Sequence, residues 1–138
     1  MEMEKRDELY RSNTTTLAYV GDAVYEVFIR KRLLTDPNVN TKKLHKEAIR
    51  YVSAAGQCLA IRTMFDDLTE EEQGLVKRAR NRQSATKPKN ADPVEYKWAT
   101  AFEALVGFLD LAGEKDRAEE IMERAVAVCD EEYKGGTL

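Results

Sequence analysis

Two acidic residues stand alone inside otherwise apolar stretches of this chain. Asp22 lies in Leu17-Ala-Tyr-Val-Gly-Asp-Ala-Val-Tyr25, and Glu103 in Trp98-Ala-Thr-Ala-Phe-Glu-Ala-Leu-Val-Gly-Phe-Leu109. A carboxylate among such neighbours loses hydration, at a cost on the order of several kcal/mol unless it finds a partner. Neither stretch places a cation within one helical turn of its acid on the same face. The partner must come from elsewhere in the fold, and a divalent metal ion is one candidate. Hard cations such as Mg²⁺ prefer carboxylate oxygens and keep water ligands. Such an ion turns water into a nucleophile and neutralises a phosphate in the transition state. Paired carboxylates near a basic segment therefore suggest phosphodiester hydrolysis. The plainer alternative is that both acids make ordinary salt bridges or helix caps.

Each acid has a glycine close by. Gly21 precedes Asp22, and Gly107 follows Glu103 by one turn. A glycine within a helix costs about 0.5–1 kcal/mol relative to alanine, and close approach by another helix or a ligand is the usual compensation. Two helices meeting at these glycines bring both acids within reach of one cation. Glu26 lies one turn from Asp22 and can either aid that site or pair with Arg30.

The elements that must position these residues read as helices almost throughout. The first is predicted from about Asn13-Thr14-Thr15, a capping sequence, to Leu34. It is apolar on nearly every side between Leu17 and Ile29, which predicts a central place. Asp36-Pro37-Asn38 stops it. Asn40-Thr41 caps a second helix to about Tyr51, and Ser53 starts a third. Thr69-Glu-Glu-Glu72 has the form of a capping box, with a helix to about Arg80. Asn81 to Ala91 reads as a polar loop. Asp92-Pro93 is a strong helix start, for a helix to about Ala112 ended by Gly113. A last helix is predicted from Asp116 to about Asp130, with Lys134-Gly-Gly-Thr-Leu138 frayed. No repeat and no convincing strand is visible, so the fold class is all-α.

With 138 residues, 43% hydrophobic and 34% charged, the chain suits one folded domain rather than a disordered one. No apolar stretch reaches the roughly 18–20 residues that span a bilayer. The start is charged and lacks the apolar segment of a signal peptide, so the expectation is a cytoplasmic protein without a membrane role. Cys58 and Cys129 lack CxxC spacing and read as buried thiols. The single histidine, His45, has no Ser or Cys motif beside it, which leaves triad chemistry and a histidine-rich zinc site unsupported.

The net charge of −3 hides a strong polarity. Between Val76 and Asn90 stand Lys77, Arg78, Arg80, Arg82, Lys87 and Lys89, with no acid among them. A second basic group spans Arg30-Lys-Arg32, Lys42-Lys43, Lys46 and Arg50. A mildly acidic average is thus compatible with a cationic face for a polyanion. Arg30–Arg32 also lies where basic residues complement a helix dipole. Tyr19, Tyr25, Trp98 and Phe102 read as core or dimer-interface residues rather than base-stacking platforms.

The segment Leu17–Glu26 resembles the signature helix of the ribonuclease III family, whose core is Leu-Gly-Asp-Ala. Phe102-Glu-Ala-Leu-Val-Gly107 is similar to the family's second acidic helix. Arg80-Asn81, then Pro88-Lys-Asn-Ala-Asp92, then a tyrosine before the Phe-Glu-Ala-Leu motif resemble in particular the Mini-ribonuclease III subgroup, the short form without an RNA-binding domain. The resemblance covers roughly residues 10 to 130 and implies one catalytic domain over 1–138, with no separate RNA-binding domain.

By position, the resemblance makes Asp22 and Glu103 the metal-binding and catalytic acids, with Mg²⁺ as cofactor. The further acids of ribonuclease III proper correspond to Thr15, Ala18 and Thr100, so one ion is expected and a second stays open. The family is helical and dimeric and cuts both strands of double-stranded RNA, leaving 5′-phosphate and 3′-hydroxyl ends. The subgroup implies maturation of 23S ribosomal RNA, on a precursor that carries a large-subunit ribosomal protein. The RNA grip then falls to the catalytic domain itself, with Arg78, Arg80, Asn81, Arg82, Lys87 and Lys89 as candidates and Asn90 as a polar helper. Recognition should be of shape, since A-form RNA presents phosphates and 2′-hydroxyls more readily than base edges. Two other readings remain: a catalytically idle RNA-binding or ribosome-associated module, and a helical protein–protein adaptor.

Overall fold

The computed structural model describes residues 1–82 and 90–136. It contains α1 (Met3–Tyr10), α2 (Thr14–Leu33), α3 (Thr41–Val52), α4 (Ala54–Met64), a short 3-10 turn at Phe65–Asp67, α5 (Glu70–Asn81), α6 (Pro93–Leu111) and α7 (Lys115–Gly136). No strand occurs among the described residues.

The helix starts follow the side chains that can satisfy free backbone N–H groups. Asn13, Asn40 and Ser53 accept from the N–H of Thr15, Lys43 and Gly56 at 2.8, 2.9 and 3.1 Å. The Thr69 hydroxyl accepts from Glu72 N at 3.1 Å while the Glu72 carboxylate accepts from Thr69 N at 3.0 Å, completing the capping box. Asp92 caps Val94 N and Glu95 N, with Pro93 at the first helical position. Gly113 ends α6 at φ +78°, and the bonds Glu114 N to Leu109 O and Gly113 N to Asp110 O form a Schellman motif.

The core centres on α6, which buries Ala99, Ala101, Phe102 and the whole run from Ala104 to Leu109. Helices α2, α4, α5 and α7 pack around it. The central position expected for α2 belongs to α6 instead. Helix α2 buries the stripe Leu17, Ala18, Gly21, Tyr25 and Ile29, but Tyr19, Ala23 and Val27 on its other side face out. Tyr25 and Phe102 meet edge to face at 4.8 Å. Cys58 and Cys129 are free and buried, as expected.

Two features differ from the sequence reading. Helix α1 is present although its stretch buries no side chain. It is fastened by Arg6, which donates to Glu114 at 2.6 Å and to Glu71 at 2.7 Å, and by the Tyr10 hydroxyl bonded to the Glu71 carbonyl. Helix α7 continues through Lys134 to Gly136, where fraying was expected. Most of the expected loop from Asn81 to Ala91, including Lys87 and Lys89, lies outside the described residues.

Helix α5 is tied to α7 by an ion pair. Glu72, buried, receives Arg117 at 2.7 and 2.8 Å. The guanidinium bonds hold the Glu72 carboxyl below the usual carboxylate range despite burial.

Candidate active site

Asp22 and Glu103 are placed by the crossing of α2 and α6. A methyl group at Gly21 would lie 1.7 Å from the Glu103 carbonyl oxygen, and one at Gly107 would lie 1.9 Å from the Leu17 carbonyl oxygen. The backbones therefore touch where only hydrogen fits. The contact lies at the two glycines that flank the acids in sequence, and it brings the Asp22 carboxyl close enough to act on that of Glu103.

The two acids differ in environment. Glu103 is half-buried, whereas Asp22 is exposed on this chain, contrary to the hydration loss its apolar neighbours suggested. The reason is geometric: Leu17, Ala18, Gly21 and Tyr25 take the buried stripe of α2, and Asp22 lies at its margin. Burial, reinforced by the Asp22 charge, pushes the Glu103 carboxyl up to about 8. No ion pair among the described residues involves either acid.

Gln57 of α4 is a member of the site that the sequence reading missed. Its amide nitrogen donates to Glu103 Oε2 at 3.3 Å. The available signal was the same as for the acids, a polar side chain inside the apolar run Ala54 to Ile61. Glu26 bonds Arg30 at 3.3 Å, and its charge still reaches Glu103.

This donor set suits a divalent cation. Two adjacent carboxylates without a protein cation repel each other, and an ion between them relieves that repulsion. Among the described residues no group of three His, Cys, Asp or Glu side chains gathers around one point. A two-carboxylate set matches Mg²⁺, which keeps several waters and takes one or two protein carboxylates. His45 is exposed on α3, away from these acids in sequence and element. The family's further acidic positions hold exposed Thr15, buried Ala18, and Thr100, whose hydroxyl bonds the Tyr96 carbonyl at 2.9 Å.

The basic residues of α5 have separate fates. Arg78 donates to the carbonyls of Tyr10 and Ser12 and lies over the Tyr10 ring, so it binds α5 to the end of α1. Both bonds are made by Nη2 alone, so Arg78 is anchored to the fold through one nitrogen of an exposed side chain. Arg80 stacks on Trp98 at 4.9 Å and bonds the Asn81 side chain at 3.0 Å. Asn81 and Arg82 are exposed. Tyr25 and Phe102 belong to the core, as expected, while Tyr19 is 82% exposed.

The ribonuclease III domain family matches residues 15–114, a span that includes both acids. A Mini-ribonuclease 3 of Symbiobacterium thermophilum is 48% identical over 110 residues, covering 80% of this chain and 85% of its own. A Mini-ribonuclease 3 of Brevibacillus brevis is 42% identical over 132 residues, 93% of this chain and 98% of its own. A crystal structure of a protein from Fusobacterium nucleatum superposes with a TM-score of 0.76 at 32% identity, over 85% of this chain and 93% of that one. The spacing of the two acidic helices, their glycine contact and these likenesses agree: the chain belongs to the ribonuclease III family, in its Mini-ribonuclease 3 group.

Proposed function

We propose that this protein is a Mg²⁺-dependent endoribonuclease that hydrolyses phosphodiester bonds in double-stranded RNA and acts in 23S ribosomal RNA maturation. The observation that carries this reading is the convergence of Asp22 and Glu103 at the Gly21–Gly107 contact, with neither acid in an ion pair among the described residues.

In this reading Asp22 and Glu103 hold the ion, and Gln57 bonds one Glu103 oxygen. When bound, Mg²⁺ supplies Lewis acidity to the phosphate and to the attacking water. The half-buried Glu103 and the α2–α6 backbone contact keep the two acids at fixed separation, so little reorganisation accompanies the reaction. Water adds to phosphorus, the bond from phosphorus to the 3′ oxygen breaks, and that oxygen takes a proton. The ends are a 5′-phosphate and a 3′-hydroxyl.

Arg80, Asn81, Arg82, Lys87 and Lys89 are assigned to the RNA backbone. Tyr19, Ala23 and Val27 form an exposed apolar row on α2 beside Asp22. That row supports a homodimer, which sets two sites against the two strands. A large-subunit ribosomal protein on the RNA precursor is the proposed further partner, and the cytoplasm, where that precursor is made, the proposed location. Among the described residues no helix is long and apolar enough to cross a membrane.

One observation favours the catalytically idle module, the absence of acids at Thr15, Ala18 and Thr100. Cleavage of a long RNA duplex with and without Mg²⁺, by the wild type and by Asp22→Asn, decides between the two. Cutting by the wild type that needs Mg²⁺ and is lost in Asp22→Asn is the expected result. Absence of cutting by either protein favours the idle module, and equal cutting by both removes Asp22 from the mechanism.

A further inference from the structure

Gln57 is 2% exposed, at the contact of α4 with α6. Its amide nitrogen donates twice, to the Val52 carbonyl at 3.1 Å and to Glu103 Oε2 at 3.3 Å. Its carbonyl oxygen is buried with no hydrogen-bond partner among the described residues.

Both N–H bonds go to acceptors, which fixes the amide in one orientation. Turned over, Oε1 would face the Val52 carbonyl, which can only accept, and that bond would be lost. The chosen orientation leaves a buried carbonyl oxygen unpaired, which carries its full desolvation penalty. Such orphans are rare in folded proteins and call for an explanation. Leucine or methionine would fill similar volume without that cost. The compensation lies at Glu103, whose carboxylate has no other donor among the described residues. An arginine or lysine at this position would orient Glu103 equally well, but it would neutralise the charge a cation needs. A neutral amide orients the carboxylate and leaves its charge in place.

We propose that Gln57 is a positioning residue for Glu103, holding one carboxylate oxygen so that the other is presented with Asp22 to the cation. This rests on the two-acid metal site proposed above. The test is calorimetric titration of RNA-free protein with Mg²⁺ and Mn²⁺, for the wild type, Asp22→Asn and Gln57→Met. The wild type is expected to bind, Asp22→Asn to lose binding, and Gln57→Met to bind about 10-fold more weakly, the usual scale for a group that orients a metal ligand. An unchanged affinity in folded Gln57→Met overturns the role of Gln57 and leaves the two-acid site intact. A wild type that binds neither ion overturns both. Should Gln57→Met fail to fold, the side-chain amide signals of Gln57 in the wild type are followed by NMR through the Mg²⁺ titration. A shift at saturation supports the proposal, and signals that stay in place overturn it.

Discussion

Gly21 and Gly107 stand backbone against backbone, so closely that a methyl group added at Gly21 would lie 2.8 Å from the Gly107 nitrogen as well as 1.7 Å from the Glu103 carbonyl oxygen. The atoms in the way belong to main chain, which cannot swing aside as a side chain can. Gly21→Ala must therefore push α2 from α6. Alanine gains about 0.5–1 kcal/mol in helix propensity, but overpacking costs about 1–3 kcal/mol or more. The expected outcome is a net loss of about 2 kcal/mol by denaturant unfolding, with Mg²⁺ affinity reduced further because the two acids separate. Wild-type stability with wild-type affinity would contradict the backbone contact.

Glu103 gives a signed pH prediction. Its carboxyl titrates at 4.5 as an ordinary glutamate and at about 8 in the folded chain. Between those values the folded state binds more protons than the unfolded one, so stability of the metal-free protein falls as pH rises through that window. Below it the group is protonated in both states, and above it the whole penalty applies. Glu103→Gln is expected to melt several degrees above the wild type at pH 8 without metal, at roughly 2–8 °C per kcal/mol. The two proteins converge near pH 4, and saturating Mg²⁺ narrows the gap at pH 8. Thermal melts across this range, with and without Mg²⁺, measure both trends.

Arg78 and Arg82 should respond oppositely. Arg78 serves the carbonyls at the end of α1, so Arg78→Ala is expected to cost about 1–2 kcal/mol of stability with little change in duplex affinity. Arg82 is exposed, so Arg82→Ala is expected to leave stability within about 0.5 kcal/mol. It should weaken RNA binding and reduce the salt slope by about 1. Affinity measured over a range of salt concentrations, beside urea unfolding, separates the two effects.

Arg117 holds a buried acid. Removing it as Arg117→Met leaves Glu72 with the Thr69 N–H alone. The expected loss is about 2–3 kcal/mol, below the ~3–5 of a fully buried pair because Arg117 is partly exposed. The folded-state pKa of Glu72 lies below its ordinary value, so the pair's contribution is complete above that value and disappears as pH falls through the folded one. The variant should therefore approach the wild type in acid, as urea unfolding at neutral and acid pH will measure.

Most helix boundaries were legible because their signals are local. Asn13, Asn40, Ser53, the Thr69–Glu72 box, Asp92-Pro93 and Gly113 each act within a few residues. The α2–α6 crossing was legible from Gly21 and Gly107, since a glycine inside a helix needs a reason. Helix α1 was not, because its stability comes from Glu71 and Glu114, far along the chain. The centrality of α6 over α2 was equally hidden. Both helices are apolar all round, and only the packing shows which one keeps an uncovered side. Arg78 looked like a free cation because nothing local tells a guanidinium bound to a distant carbonyl from one in solvent. Gln57 carried a signal of the same kind as Asp22, without a charge to draw notice.

The crossing of α2 and α6 has a thermodynamic corollary. Both acids ride on long helices whose mutual position is set when the chain folds, so capture of an ion has no apolar surface left to bury. Heat-capacity change on binding tracks apolar burial, and for Mg²⁺ at this site it should be close to zero. The binding enthalpy, followed from about 10 to 35 °C, should then be nearly independent of temperature.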